Sequence, residues 1–244
     1  MILFLGDIHG NFNYISYEIN RKKITNCTII QVGDFGIGFT TPENDLKILE
    51  SFNHFLKERD IVMYAIRGNH DNPKFFKGDY IFDNLKLIPD YTVLEIESHK
   101  ILCVGGAVSV DRKQRLSEMQ KADHYGIKKE LYWFDENFVF IEDKVKNLQN
   151  INIVVTHTAP EWCVPDNRNG FGPFVEIFAQ HDNKILEDLT FERGEMTKMF
   201  NLINQYNHIK YHFYGHFHKH DITINGYTNH ILLDINEFWM LDEY

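Results

Sequence analysis

The stretch "ILFLGDIHGN" (Ile2–Asn11) begins with four apolar residues in an unbroken run and then stops at Gly6-Asp7-Ile8-His9. A short continuous apolar run closed by a turn residue reads as a strand buried on both faces. Such a strand delivers whatever follows it to one edge of a sheet. Here that is an acid and a histidine two positions apart. The pattern recurs along the chain. "CTIIQVGD" (27–34) ends in Gly33-Asp34, and "IVMYAIRGNHD" (61–71) ends in Gly68-Asn69-His70-Asp71. "INIVVTH" (151–157) ends in Thr156-His157, and "IKYHFYGHFH" (209–218) ends in Gly215-His216-Phe217-His218.

Between the first three strands lie two helical patterns. Phe12, Ile15, Tyr17 and Ile19 space residues 12–23 as a helix. Thr41 as N-cap, Pro42 at the first helical position and acids in the first turn start another, with Leu46, Leu49, Phe52 and Leu56 as its stripe. This alternation predicts a largely parallel sheet covered by helices. Farther along, "YTVLEIES" (91–98) and "KILCVGGA" (100–107) read as a hairpin around His99. "DITINGYTNHILLDI" (221–235) reads as a second hairpin, turning at Asn225-Gly226. Residues 111–150 are mixed and helical in part. Residues 158–194, with three prolines and several Gly, Asn and Asp, are expected to be one long irregular segment of functional character. Phe171, Phe174 and Phe178 are expected to pack it down, with stacking on a base as the alternative. A helix near 195–206 should follow.

Composition narrows the class. The chain has 244 residues, 43% of them hydrophobic, which is enough for one large core. No linker-like, low-complexity or repetitive stretch divides it, so residues 1–244 are expected to form one domain. A formal net charge of −10 argues against an extended nucleic acid or an anionic membrane surface as partner. A small anionic substrate stays compatible, because bound cations reverse the local sign. Cys27, Cys103 and Cys163 are odd in number and far apart, which suits buried thiols in a reducing compartment. "MILFL" is too short for a signal segment and no apolar run reaches membrane-span length. The expected location is the cytoplasm. His212, His220 and His230 receive no assigned role.

In open α/β sheets, sites gather outside the carboxyl ends of strands. If the five strands lie side by side, Asp7, Asp34 and Asn69 bring oxygen to one edge, and His9, His157, His216 and His218 bring nitrogen. A mixed O/N set suits Mn²⁺, Fe or Zn²⁺ better than Ca²⁺. Seven ligands exceed what one transition metal needs and suit two. Paired ions clamp the attacking and leaving oxygens of an in-line displacement, usually at phosphorus. Any one motif alone would read as an ordinary cap or turn. Five in order, each after a strand, do not.

The ordered series GDIHG, GD, RGNHD, TH and GHFH, spanning residues 6–218, resembles the calcineurin-like metallophosphoesterase superfamily. The resemblance implies a four-layer α/β/β/α sandwich with two mixed sheets, the two hairpins joining the second. It implies two divalent metal ions, Mn²⁺ foremost, with Fe or Zn²⁺ as alternatives. By position, Asp7, His9 and His218 match ligands of the first ion, Asp34 the bridging carboxylate, and Asn69, His157 and His216 ligands of the second. His70 matches the histidine that protonates the leaving oxygen or steadies the transition state. Arg67 matches a phosphate-binding arginine of the phosphoprotein phosphatase branch. In that branch the second motif continues to an Asp and an Arg. Here it reads "GDFGIGF" (33–39), with neither, which leaves the adjacent Asp71 to orient His70. The first part of "VGGAVSVDRKQR" (104–115) resembles bacterial and phage members; Arg112, and Arg168 in the long segment, are candidates for further phosphate contacts. The implied activity is phosphomonoester hydrolysis by a metal-bridging hydroxide, on a phosphoprotein or small phosphoester. A phosphodiesterase or nucleotide hydrolase is the alternative, and an inactive protein-binding module a further one.

Overall fold

Every residue of β1 (Ile2–Leu5) is buried. The computed structural model, which describes residues 1–165, 171 and 173–241, gives the reason. Side chains alternate across a strand. Leu3 and Leu5 enter a core with Ile15, Ile19, Leu49 and Phe52, whereas Ile2 and Phe4 enter a second core with Ile101, Ile153 and Phe213. β1 therefore lies between a helical layer and another sheet.

The chain builds the first sheet at once. After β1 come α1 (Phe12–Arg21), β2 (Cys27–Gln31), α2 (Pro42–Lys57), β3 (Ile61–Ala65) and β4 (Leu85–Leu87). β1 to β4 are parallel neighbours in sequence order. α2 starts as expected: Thr41 Oγ1 accepts the Asn44 amide at 3.3 Å, with Pro42 at the first position. The hairpin β5 (Thr92–Ile96) and β6 (His99–Val104) opens the second sheet. α3 (Arg112–His124), α4 (Glu142–Val145), β7 (Ile153–Thr156), α5 (Pro173–Ala179), α6 (Ile185–Asn204) and β8 (Tyr211–Tyr214) follow. The hairpin β9 (Asp221–Asn225) and β10 (Thr228–Leu232) completes that sheet, in the order β5-β6-β7-β8-β10-β9. β11 (Phe238–Met240) returns to pair antiparallel with β1. Met196, Met199, Phe200 and Ile203 of α6 cover the outer face of the second sheet, against Leu102, Val104 and Val154. The result is the expected sandwich: helices, mixed sheet, mixed sheet, helix.

Several elements differ from expectation. β4 and β11 are three residues each, too short for any periodicity to announce them. Residues 158–194 are not irregular throughout, since α5 lies in them and α6 begins at Ile185. The buried stripe of α6 runs Ile185, Leu189, Glu192, Met196, Met199, Ile203. Glu192 occupies an apolar register position, so the pattern reads as broken there. The second hairpin turns at Gly226-Tyr227, because Asn225 pairs with Thr228, and Gly226 takes φ +60°.

Candidate metal centre

The residues just beyond β1, β2 and β3 meet those just beyond β7 and β8 across the two sheets. Two groups of potential ligands result, Asp7/His9/Asp34/His218 and Asp34/His157/His216, with the ligand atoms in each within 4.8 Å of one another. Asp34 belongs to both. Asn69 Oδ1 lies 3.1 Å from His157 Nε2 and joins the second. His9 Nε2 and His218 Nε2 approach to 2.9 Å. All seven sequence candidates are thus brought together.

The backbone is bent to achieve this. His9, Asp34, His216 and His218 all take φ between +48° and +71°. Non-glycine residues rarely occupy this region, and such strain concentrates at functional sites. The glycines preceding the ligands make room. A Cβ on Gly215 would stand 2.0 Å from Asp7 Oδ1, and one on Gly33, at φ +102°, 2.3 Å from His157 Nδ1.

The donor set fits a cation. His157 Nδ1 donates to the Val32 carbonyl at 2.9 Å. Its Nε2 then faces Asn69 Oδ1 and Asp34 Oδ1, each at 3.1 Å. Asn69 cannot turn its amide round, because its Nδ2 donates to Ser109 Oγ at 3.0 Å. Three acceptors therefore point at one another, and only a positive charge among them satisfies all three. Without a metal that charge is a proton. Burial opposes it, but the charge and hydrogen bond of Asp34 prevail and lift His157 to about 9. Burial likewise resists ionisation of Asp34, yet His157 holds its carboxyl well below the usual range. Burial keeps His9 and His216 low, in the neutral form that ligates metals. Asp7 Oδ2 accepts the His216 amide at 3.0 Å, while its Oδ1 is buried with no hydrogen-bond partner among the described residues. An orphaned carboxylate oxygen is costly unless a cation takes it.

His70 lies beside the cluster. Its amide donates to Asp34 Oδ1 at 2.7 Å, and its ring meets that of His9 edge-on at 5.0 Å. Its side-chain partner is Arg115, whose Nη2 is 3.2 Å from Nδ1 and also contacts Nε2. Burial, joined by the Arg115 charge, pulls His70 down to about 4, so the neutral ring accepts from the guanidinium. Arg115 is 6% exposed and anchored by Asp111 Oδ1 at 2.8 Å and the Asn69 carbonyl at 3.1 Å. Sequence reasoning passed over Arg115. Its signal was faint: an arginine one turn after Asp111, in a helix whose outward side is uniformly polar.

Three other expectations come out differently. Asp71 does not reach the His70 ring; its carboxylate accepts the amides of Phe35, Gly36, Ile37 and Gly68 at 2.7–3.2 Å. It ties the loop after β2 to the loop after β3. Arg67 is turned away from the cluster. Its guanidinium binds Asp90 Oδ2 at 2.8 and 3.0 Å and the carbonyls of Asp135, Glu136 and Asn137. All its nitrogens are committed, so none is left for phosphate. Arg112 is clamped between Asp182 at 2.5 Å and Asp188 at 2.6 Å, joining α3 to α6. Arg168 lies outside the described residues.

A third group, Cys163/His212/His230, is entirely buried. Its hydrogen bonds run in one direction. Trp162 Nε1 can only donate, and it reaches His230 Nε2 at 3.3 Å. His230 Nδ1 must then donate to His212 Nδ1 at 2.9 Å, and His212 Nε2 to Thr156 Oγ1 at 2.7 Å. Thr156 passes the chain to the Thr158 carbonyl. Every imidazole nitrogen is used, and burial pushes the Cys163 thiol up to about 12. The two histidines form a neutral hydrogen-bonded brace on either side of His157, with no imidazole lone pair to spare for an ion.

A cavity of about 670 Å³ opens onto the cluster, with Asp34, Asn69, His70, His216 and His218 in its lining.

Residues 1–220 match the family model described as calcineurin-like phosphoesterase. No curated protein matches the sequence. Among solved structures, the anchor protein of the inner membrane complex of Plasmodium is similar at 14% identity and TM-score 0.45, over 96% of this chain and 70% of that one. A putative 5'-nucleotidase from Staphylococcus aureus is similar at 13% identity and TM-score 0.46; this chain is covered to 96% but spans about half (49%) of that one. The phosphopantetheinyl hydrolase of Mycobacterium tuberculosis is similar at 12% identity and TM-score 0.46, over 96% of this chain and 90% of that one.

Proposed function

Since this chain belongs to the calcineurin-like phosphoesterase family and is a metal-dependent phosphoesterase, we propose that it hydrolyses phosphomonoesters at the cluster between Asp34 and His70. The observation that carries the reading is the convergence of acceptors around Asp34, which calls for cations where a phosphoryl group would also sit. Asp7, His9, Asp34 and His218 would hold one ion, and Asp34, Asn69, His157 and His216 the other. Mn²⁺ suits this mixed set, with Fe or Zn²⁺ as alternatives. Bound there, two divalent ions supply a nucleophilic water near neutral pH and offset the charge on the phosphoryl oxygens.

The remaining roles fall to the chain itself. His157 is fixed by Val32 and Asn69 by Ser109, so both are held oriented before any ligand arrives. His70, neutral and held by Arg115, would meet the ester oxygen with a hydrogen bond from its remaining ring N–H and steady the charge that develops there as the bond to phosphorus breaks. Arg115 holds the His70 ring and adds positive charge beside the phosphate. That charge favours a dianionic monoester. A diester hydrolase is the second reading, favoured by Arg67 being committed elsewhere. Three free, buried thiols suit a reducing compartment such as the cytoplasm. Among the described residues no helix is long and apolar enough to cross a membrane.

The test is hydrolysis of p-nitrophenyl phosphate against bis-p-nitrophenyl phosphate by metal-stripped protein reconstituted with Mn²⁺, Zn²⁺ or Fe²⁺. Metal-dependent turnover of the monoester is expected. Preference for the diester would move the assignment to the second reading.

A further inference from the structure

The cavity beside the candidate metal centre has a mixed lining. Next to the candidate ligands and His70 it is lined by Asp111, Gln114, Glu192, Arg193 and Lys219, and by an apolar wall of Val110, Phe171, Phe174, Phe178, Leu189 and Phe217. These come from four places: the loop before α3, the segment around α5, α6 and the GHFH motif itself. Phe171 packs with Val110 onto buried Val108, Ile185 and Leu189, so part of this wall is anchored in its own small core. Phe174 is 65% exposed and meets Phe178 edge-on at 5.1 Å. A phenylalanine left open to water opposite a catalytic cluster, beside a partner ring, has apolar area to bury. A cavity of about 670 Å³ is the size of a small-molecule site, and such sites commonly pair apolar and aromatic walls with polar groups that fix orientation.

On the strength of the phosphoesterase reading, we infer that the substrate is a small phosphoester whose alcohol part is apolar and ring-sized, seated against Phe174 and Phe178. With phosphorus at the candidate ligands and the ester oxygen at His70, the alcohol part would extend into the cavity that the aromatic wall lines. A phosphoserine side chain would bring a polar peptide backbone against that wall, where an amide buried without a partner is costly.

The experiment compares three substrates on the full chain reconstituted with Mn²⁺: 2-naphthylmethyl phosphate, methyl phosphate and a phosphoserine peptide. The first two release primary alkoxides of similar basicity, so the wall and not the leaving group separates them. The expected kcat/KM ratio of naphthylmethyl to methyl ester is about tenfold or more, the scale of apolar discrimination in a pocket. Phe174→Ala and Phe178→Ala should each reduce that ratio several-fold. Ile177→Ala, on the exposed side of α5 away from the cavity, should keep it. Calorimetric binding of the corresponding phosphonates should follow the same order. Equal turnover of the two esters, or faster turnover of the phosphopeptide, overturns the inference and leaves the phosphoesterase reading intact. Turnover of none of the three overturns both.

Discussion

Asp34 is buried, takes φ +52° and lies in both ligand groups. One oxygen faces His157 and accepts the His70 amide; the other looks toward His9 at 3.8 Å. A residue so placed would link two ions to one another and to His70. His70 has a separable duty. His70→Ala should lower kcat by about 10²–10³ while metal content, read by elemental analysis, is unchanged. Full activity in that variant would remove His70 from the chemistry. At Gly215, an alanine methyl would press on Asp7 Oδ1, which is fixed and cannot retreat. Gly215→Ala is expected to weaken metal binding and to cost about 1–3 kcal/mol of stability, seen in thermal melts. A variant with normal melting and normal metal content would contradict the packing argument.

The five motif strands and the two hairpins were legible because their apolar runs and turn residues are local signals. So was the convergence of the seven candidate ligands, since each follows a strand that periodicity can find. What escaped was whatever depends on a distant partner. Arg67 reads as a phosphate ligand until Asp90 and three carbonyls take its guanidinium. Arg115 reads as a surface residue until α3 brings it against His70. Asp71 sits next to His70 in sequence, yet the loop after β2 captures it. The brace from Trp162 to Thr156 also crosses elements, joining the segment after β7 to β10, β8 and β7. It makes a prediction for acid. Burial lowers His230 from 6.5 to about 4, so between those pH values the unfolded chain takes a proton that the folded chain refuses. Stability should therefore fall as pH drops from 6.5 toward 4, by roughly 3 kcal/mol from this group alone. His212, lowered still more strongly by burial, acts in the same direction. Urea midpoints at pH 7 and pH 5 check this: His230→Gln should lose less between the two than the parent chain does. Equal losses would clear the brace of responsibility.

At the scale of the molecule, two sheets face each other across one apolar core, with Phe4 and Phe213 stacked at 3.6 Å. The ligands sit where the carboxyl ends of both sheets meet, so no single sheet owns the site. Metal binding should then stabilise the sandwich as a whole. Stripping the ions should lower Tm, and Mn²⁺ at about 100 times its Kd should return about 2.7 kcal/mol per site. An unchanged Tm on stripping would mean the cluster is not coupled to the fold.

Asp34 is placed to join two ions at one site. Equilibrium titration of the metal-stripped chain with Mn²⁺, following free ion by electron paramagnetic resonance, tests this for the parent and for Asp34→Asn. Two ions per parent chain are expected, with a weakening of both in the variant. A single ion in the parent, or a variant that binds two as tightly as the parent does, would contradict it.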